Sequence, residues 1–383
     1  MNRTFIDIHV LQTVPPSNLN RDDTGSPKTA VYGGYRRARV SSQAWKRATR
    51  VSFGDRLDAG ELGVRTKRVV QLLADAIAER DSELKQRSTE LAAEAIRQVG
   101  IKVSAPTKNS KKDTDDDAKD TAEESGYLVF FSRRQIDNLA DAAVSAAQSE
   151  DVKKALKEAK VKDLADRDHS VDVALFGRMV ADQADINVDA AAQVAHAISV
   201  HPVETEFDYF TAVDDTNPEE ETGAGMIGTV EFNSSTLYRY ATVDVNRLVD
   251  NLGDAVATRR AVEAFTDCFV RSMPSGKQNT FANRTLPEAV VVHVRDSQPI
   301  NLVGAFESPV RESATSGRIK RAAEALRDET SEIARAYGER PVAGWVTRVG
   351  TDTASLDDLG TNVPLDNLVA ELGVLVAERL GSE

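Results

Sequence analysis

The sequence predicts an α+β fold on three observations. An alternating apolar segment near the N-terminus reads as a strand, residues 55–200 read as mostly helical, and helix and strand patterns interleave in the remainder. In Thr4–Val14, Phe5, Ile6, Ile8, Val10 and Leu11 alternate with polar residues, as in a sheet strand. RRARV at 36–40 reads as a second, short strand, and Ser41 and Ser42 behind it are good helix N-caps. Thr66–Arg80 gathers Val69, Val70, Leu72, Leu73, Ala76 and Ile77 on one helical side, and Glu83–Val99 is a helix stopped by Gly100. Ser104–Gly126 has no apolar run, so a mobile surface insertion is expected there, with Asp115, Asp116 and Asp117 solvated. Ser132 to Gln135 has capping-box spacing and opens a further helix, followed by helices over Val171–Asp182 and Val188–Ile198.

Two strands come next, near Thr205–Val213 and Ile227–Tyr240. The turn-rich Asp214–Gly225 between them makes the pair a long hairpin. The rest alternates: helix Asp254–Met273, strand Glu288–Arg295, helix Arg318–Tyr337, strand Val342–Arg348, helix Leu365–Leu380. No internal repeat is visible, so any repetition must come from copies of the whole chain.

Composition narrows the function classes. A hydrophobic content of 41% supports a sizeable core, and the single Cys268 rules out an intrachain disulfide, which suits a reducing compartment. The opening MNRTFIDIHV has no signal-peptide core and no run approaches a membrane span, so a cytoplasmic protein without a membrane partner is expected. His9, His169, His196, His201 and His293 show no metal-ligand spacing. Each is expected to be structural, and neither metal nor cofactor is expected.

Charge is the most informative feature. The chain carries −13, yet residues 18–50 hold Arg21, Lys28, Arg36, Arg37, Arg39, Lys46, Arg47 and Arg50 against only Asp22 and Asp23. Cations concentrated on an otherwise acidic protein point to a localised polyanion site. On a helical wheel with Ser42 at zero, Lys46, Arg50, Gln43 and Arg47 fall between about 40° and 140°, and Val51, Ala44, Ala48 and Trp45 between about 180° and 300°. One arc is all donors and the other all apolar. The helix start adds backbone N–H groups suited to phosphate, and the Gly33-Gly34 pair favours the same reading over a merely solvated face.

NLNRDD followed by GGYRRARVSSQAWKRA resembles the opening of the repeated backbone subunit of the type I-E CRISPR Cascade complex, the CasC family. FGRM (176–179), AHAISVHPVETEFDYFTAVDD (195–215), EFNSSTLYRYATVDV (231–245) and SGKQNTFAN (275–283) follow in that family's order. The resemblance implies a modified RNA-recognition (ferredoxin-like) palm from 1–54 and 202–383, helical fingers over 55–201 and a hairpin thumb at about 203–241. It implies a non-catalytic antiviral subunit that lines up head-to-tail along CRISPR guide RNA. Its partners would be further copies of itself, other Cascade subunits, and target DNA through the guide. Phosphate contacts would come from Ser41, Gln43, Lys46 and Arg50, with Ser42, Arg21 and Lys28 nearby. Phe210 and Thr211 would wedge a base aside, supported by Met179. Lys277, Gln278 and Asn279 would touch phosphate from their loop. Where the family pattern has an indole, this chain has Tyr209.

Two other classes compete. A metal-dependent ribonuclease could use Asp22-Asp23 or Asp214-Asp215, but adjacent acids in a strand point to opposite faces and no acid–base partner stands beside either pair. A purely structural filament leaves the basic block without a purpose.

Overall fold

The computed structural model describes residues 3–106, 122–180, 182–212, 226–313 and 316–381. The chain divides into two units: Met1–Phe53 with Ala192–Val245 and Val262–Glu383, and Gly54–Ala191 with Asn246–Ala261. Most of the expected insertion at Ser104–Gly126, and all of Asp214–Gly225, lie outside the described residues.

The first unit is built on one large sheet. Its strands are β1 (Phe5–Ser17), β2 (Thr29–Tyr32), β3 (Tyr35–Val40), β4 (Ala192–Val194), β5 (Ala197–Ser199), β6 (Glu206–Ala212), β7 (Met226–Asp244), β8 (Ala289–Arg295), β9 (Ala343–Arg348) and β10 (Thr361–Asn362). The order is β10-β9-β8-β1-β7-β5-β3-β2, with β4 and β6 also paired to β7. β1 lies between β7 and β8, antiparallel to both. Its register with β7 shifts between Val14 and Ser17, where Pro15 and Pro16 cannot donate to the ladder.

Both sheet faces are covered, so the polar residues that alternate along β1 are buried with the apolar ones. Asp7, His9 and Gln12 are all fully enclosed. One face, with Ile6, Ile8, Val10 and Gln12 of β1, carries helix α1 (Ser42–Ser52), the part of α2 (Ala255–Arg271) from Val262 onward, and α4 (Leu365–Leu380). The other face packs Leu11, Tyr238, Tyr240 and Val291 against α3 (Arg318–Tyr337) and the turn holding Leu302 and Phe306. On that second face Asp7 accepts from Arg295 Nε at 2.9 Å and Tyr240 Oη at 2.7 Å, and His9 Nδ1 lies 2.9 Å from Tyr238 Oη. The carboxylate of Asp7 offsets part of the cost of burying the Arg295 guanidinium, and burial still raises the Asp7 pKa.

The second unit is a small helical bundle. Val69–Arg80, Ser88–Val99, Arg133–Ala146, Val152–Glu158 and Val161–Ala165 enclose a core that includes Leu73, Ile77, Leu91, Ile96, Leu139 and Leu156. The capping box read at Ser132 and Gln135 forms, and Gly100 takes φ +104° to end its helix.

Three readings change. Residues 188–198, expected as a helix, contribute β4 and β5, because pairing with β7 and β3 overrides the alanine-rich pattern. In the division into two units, Ala192–Val245 belongs with the sheet and Asn246–Ala261 with the helices. The helix expected to run to Asp182 stops at Phe176, where Gly177 adopts φ +78°. Only Glu206–Ala212 pairs with Met226–Phe232 as a hairpin, while the rest of β7 is a central sheet strand.

Candidate nucleic-acid interface

The basic block folds as a hairpin followed by a helix. Gly33 (φ +58°) and Gly34 (φ +82°) form the two-residue turn between β2 and β3, and positive φ at both central positions is what such a tight hairpin requires. A Cβ on Gly33 would lie 1.8 Å from the Glu307 carbonyl oxygen. These glycines serve the turn and its close packing.

Ser41 caps α1, its hydroxyl accepting from Ala44 N–H at 3.3 Å, while its own N–H donates to Asn20 Oδ1 at 2.9 Å. Ser42 N–H donates to His196 Nδ1 at 3.2 Å. Burial and then the nearby charges of Arg39 and Lys28 hold His196 below its ordinary pKa, which keeps that nitrogen available as an acceptor. Ser41 is buried, and its hydroxyl oxygen is engaged in the cap. Gln43 and Arg47 are exposed and Lys46 and Arg50 half-exposed, and burial lowers the Lys46 pKa. The buried side of α1 is Trp45 and Thr49, narrower than the expected arc, since Val51 is 65% exposed beside the cations.

Arg37 departs most from expectation. It is fully buried, donating to the Ser199 and Phe306 carbonyl oxygens at 2.9 Å each and to that of Glu307 at 3.1 Å. Its side chain joins β3 to the neighbouring turn and is removed from the candidate RNA-binding residues. Arg36 is exposed. Arg39 is half-exposed, donates to the Thr29 carbonyl oxygen at 3.2 Å and lies 3.4 Å from His196 Nδ1.

The 275–283 loop lies against the Asn18–Leu19 backbone so closely that a Cβ on Gly276 would sit 2.2 Å from the Leu19 carbonyl oxygen. A cleft of ≈ 500 Å³ results, lined by residues 19–25 and Gly276. Arg21 is exposed on its wall, Lys277 is half-exposed at φ +52°, and Gln278 and Asn279 are exposed. Lys28 is half-exposed, and its backbone is bonded to Asn20 and Arg39. Exposed Arg284 follows the loop directly; the sequence alone does not single it out, because the family-like block ends at Asn283. The role of Asn20 and the partner of His196 escape sequence reasoning for another reason: the Asn20 and His196 side chains accept from the Ser41 and Ser42 N–H groups, 21 and 154 residues away.

Asp22 accepts from Thr24 N–H, Thr24 Oγ1 and Ser26 N–H at 3.0, 2.7 and 3.0 Å, and these bonds, that of Thr24 Oγ1 foremost, lower its pKa. It shapes the loop as an Asx turn. Among the described residues no three His, Cys, Asp or Glu side chains gather as a metal would need. No described helix is long and apolar enough to cross a membrane.

On the β6–β7 hairpin, Phe210 and Thr211 are adjacent and leave opposite faces of the ribbon. Phe207 and Tyr209 share Thr211's face and are 67% and 64% exposed. Met179 lies in the second unit, 83% exposed, just beyond the buried Arg178.

The family model for CT1975-like Cas proteins matches residues 6–371, nearly the whole chain. The chain belongs to the CT1975-like Cas family. This family member is also similar to a solved chain described as a CRISPR RNA-guided surveillance complex, pre-nicking, at 36% identity and TM-score 0.77, covering 98% of this chain and 99% of that one. A second solved chain, described as a CRISPR RNA-guided surveillance complex, is 32% identical with TM-score 0.67, covering 96% and 99%. None of the curated proteins matches it.

Proposed function

We propose that this CT1975-like protein is the repeated backbone subunit of a type I-E Cascade, holding CRISPR guide RNA by its phosphates for pairing to invading DNA. The sheet unit would be the palm, of RNA-recognition type, the helical unit the fingers and the β6–β7 hairpin the thumb. Similarity along the full length to chains of CRISPR RNA-guided complexes supports a part in guide-directed defence. The observation that carries the RNA reading is the donor face of α1. Gln43, Lys46, Arg47 and Arg50 line it, with Arg21, Lys28 and the Lys277–Asn279 loop on the same unit. Such a face touches the nucleic-acid backbone and leaves base edges free, as a guide requires.

A patch of this size covers a few nucleotides, so copies must repeat along a longer guide. A head-to-tail contact permits that growth, whereas a two-fold dimer closes it. No catalysis is proposed for this subunit; Asp22, one of the two acids lining the cleft, is committed to its own loop.

The test is size-exclusion chromatography of the protein purified from its native cells, with absorbance read at 260 and 280 nm. Co-eluting RNA of one discrete length with a repeat-derived handle is expected. Protein free of RNA that also fails to bind added guide would refute the reading, and RNA that disappears on adding Mg²⁺ would point to a ribonuclease.

A further inference from the structure

Beneath α1 lies a buried cation that no carboxylate neutralises among the described residues. Arg239, on β7, is 1% exposed. Its guanidinium carbon is 3.7 Å from the centroid of the Trp45 ring of α1 and 4.6 Å from that of the Phe269 ring of α2. One terminal nitrogen donates to the Phe269 carbonyl oxygen and the other to Gln12 Oε1 at 2.6 Å. Burial lowers its pKa to about 9. Arg295, the other fully buried arginine near the middle of the sheet, has Asp7 beside it.

Replacing a guanidinium like this by an apolar side chain would spare the cost of burying charge, so its planar fork must supply geometry. The path onward from Gln12 shows what that geometry connects. Gln12 Nε2 donates to the Thr285 carbonyl oxygen at 3.0 Å and reaches Thr285 Oγ1 at 3.2 Å. Thr285 directly follows Arg284 and the 275–283 loop, and its hydroxyl donates to the Thr13 carbonyl oxygen at 2.8 Å. A second brace runs in parallel, with Thr49 Oγ1 of α1 3.4 Å from Ser272 Oγ, just before the loop. The two cationic elements of the candidate interface, distant in sequence, are thus joined through Trp45, Arg239, Gln12 and Thr285.

We infer that Arg239 is a positioning residue that fixes the spacing between helix α1 and the 275–284 loop, so that both engage phosphates of one strand together. This rests on the RNA-binding reading above. Rigidly spaced contacts act as one multivalent site, and slack between them lowers the effective concentration of the second contact. The loss appears in affinity without any surface charge being removed.

The experiment measures binding of fluorescein-labelled oligouridine to the full chain at several salt concentrations. Failure of the native protein to bind would overturn the RNA reading itself, before any variant is made. Given binding, Lys46→Ala and Lys277→Ala are combined as a double-mutant cycle in three backgrounds: native, Arg239→Lys and Gln12→Met. Arg239→Lys keeps the charge and loses the fork, while Gln12→Met leaves Arg239 on Trp45 and cuts the link to the loop. The native background should show non-multiplicative losses. Both altered backgrounds should bind about tenfold more weakly with an unchanged salt slope, and the two lysine losses should multiply there. A general loss of stability would not change that coupling. The inference fails if the native cycle is already multiplicative, or if coupling persists in either altered background with the chain folded by circular dichroism.

Discussion

Phe210 lies across the hairpin from Gly228, and a Cβ on that glycine would sit 2.5 Å from the ring's Cζ. The glycine has no unusual φ, so only the space it leaves matters. The ring covers the exposed ladder there, as aromatics do over glycines in paired strands. Gly228→Val should therefore lift Phe210 off the ribbon and change the shape of the proposed thumb. Affinity for guide RNA should fall several-fold, close to the effect of Phe210→Ala, with the thermal midpoint nearly unchanged because the site is at the surface. RNA binding by Gly228→Val at the native level would remove Phe210 from the interface.

The exposed arc of α1 gives a second expectation. Lys46→Ala with Arg50→Ala should weaken RNA binding with little dependence on sequence. The plot of log K against log salt should become shallower by about 0.7 for each single-strand phosphate that is no longer neutralised. Trp45→Ala is the contrast: it empties a buried site stacked on Arg239 and should lower stability by about 3–5 kcal/mol. A native salt slope from the double variant would refute the placement of phosphate on this helix.

How much of this is legible in the sequence follows from the range of the interactions. The Ser132 capping box, the Gly100 helix stop and the β1 strand are local patterns, and each appears where its residues indicate. β4 and β5 are hidden because Ala197 and Ile198 satisfy a helical period as well as a strand, and only β3 and β7 decide between them. Arg37 and Arg39 are two apart on one strand and look alike in sequence. Their difference comes from the turn holding Phe306 and Glu307, about 270 residues away, which closes over Arg37 alone. The Trp45–Arg239–Gln12–Thr285 path is invisible for the same reason, since every link joins distant segments.

Acid stability follows from the histidines. His201 Nε2 accepts from Thr236 N–H at 3.1 Å and Nδ1 faces the Pro202 carbonyl oxygen at 2.7 Å, so the ring is neutral with its proton on Nδ1. Burial and then Arg318 hold its pKa at about 4, and burial does the same for His293 and His169. A histidine with a depressed folded-state pKa leaves stability untouched above about pH 6.5, where it is neutral in both states. As pH falls towards 4 the unfolded chain alone takes up the proton, and each such ring lowers stability by about 1.4 kcal/mol per pH unit. Asp7, whose pKa burial raises, acts oppositely, its penalty easing as it protonates. Urea midpoints should thus be flat from pH 8 to about 7 and fall steeply below about 6.5. His201→Asn should make that fall shallower, and an unaltered slope would contradict the neutral assignment.

The last expectation separates structural cations from binding ones. Arg37 donates only to carbonyl oxygens inside the fold, whereas Arg47 is exposed on the donor face of α1. Arg37→Met would leave the buried carbonyl oxygens of Ser199 and Phe306 and the part-buried one of Glu307 without their donor, and a lost donor set of this kind costs about 2–4 kcal/mol. Its thermal midpoint should drop, while the salt slope of RNA binding by the folded protein stays native, since no phosphate partner is removed. Arg47→Ala should do the reverse, with an unchanged midpoint and a shallower slope. The two variants measured side by side by thermal unfolding and salt-dependent RNA binding give the check. A reduced slope from Arg37→Met would mean that this side chain leaves its carbonyl cradle for RNA, and would return it to the candidate RNA-binding residues.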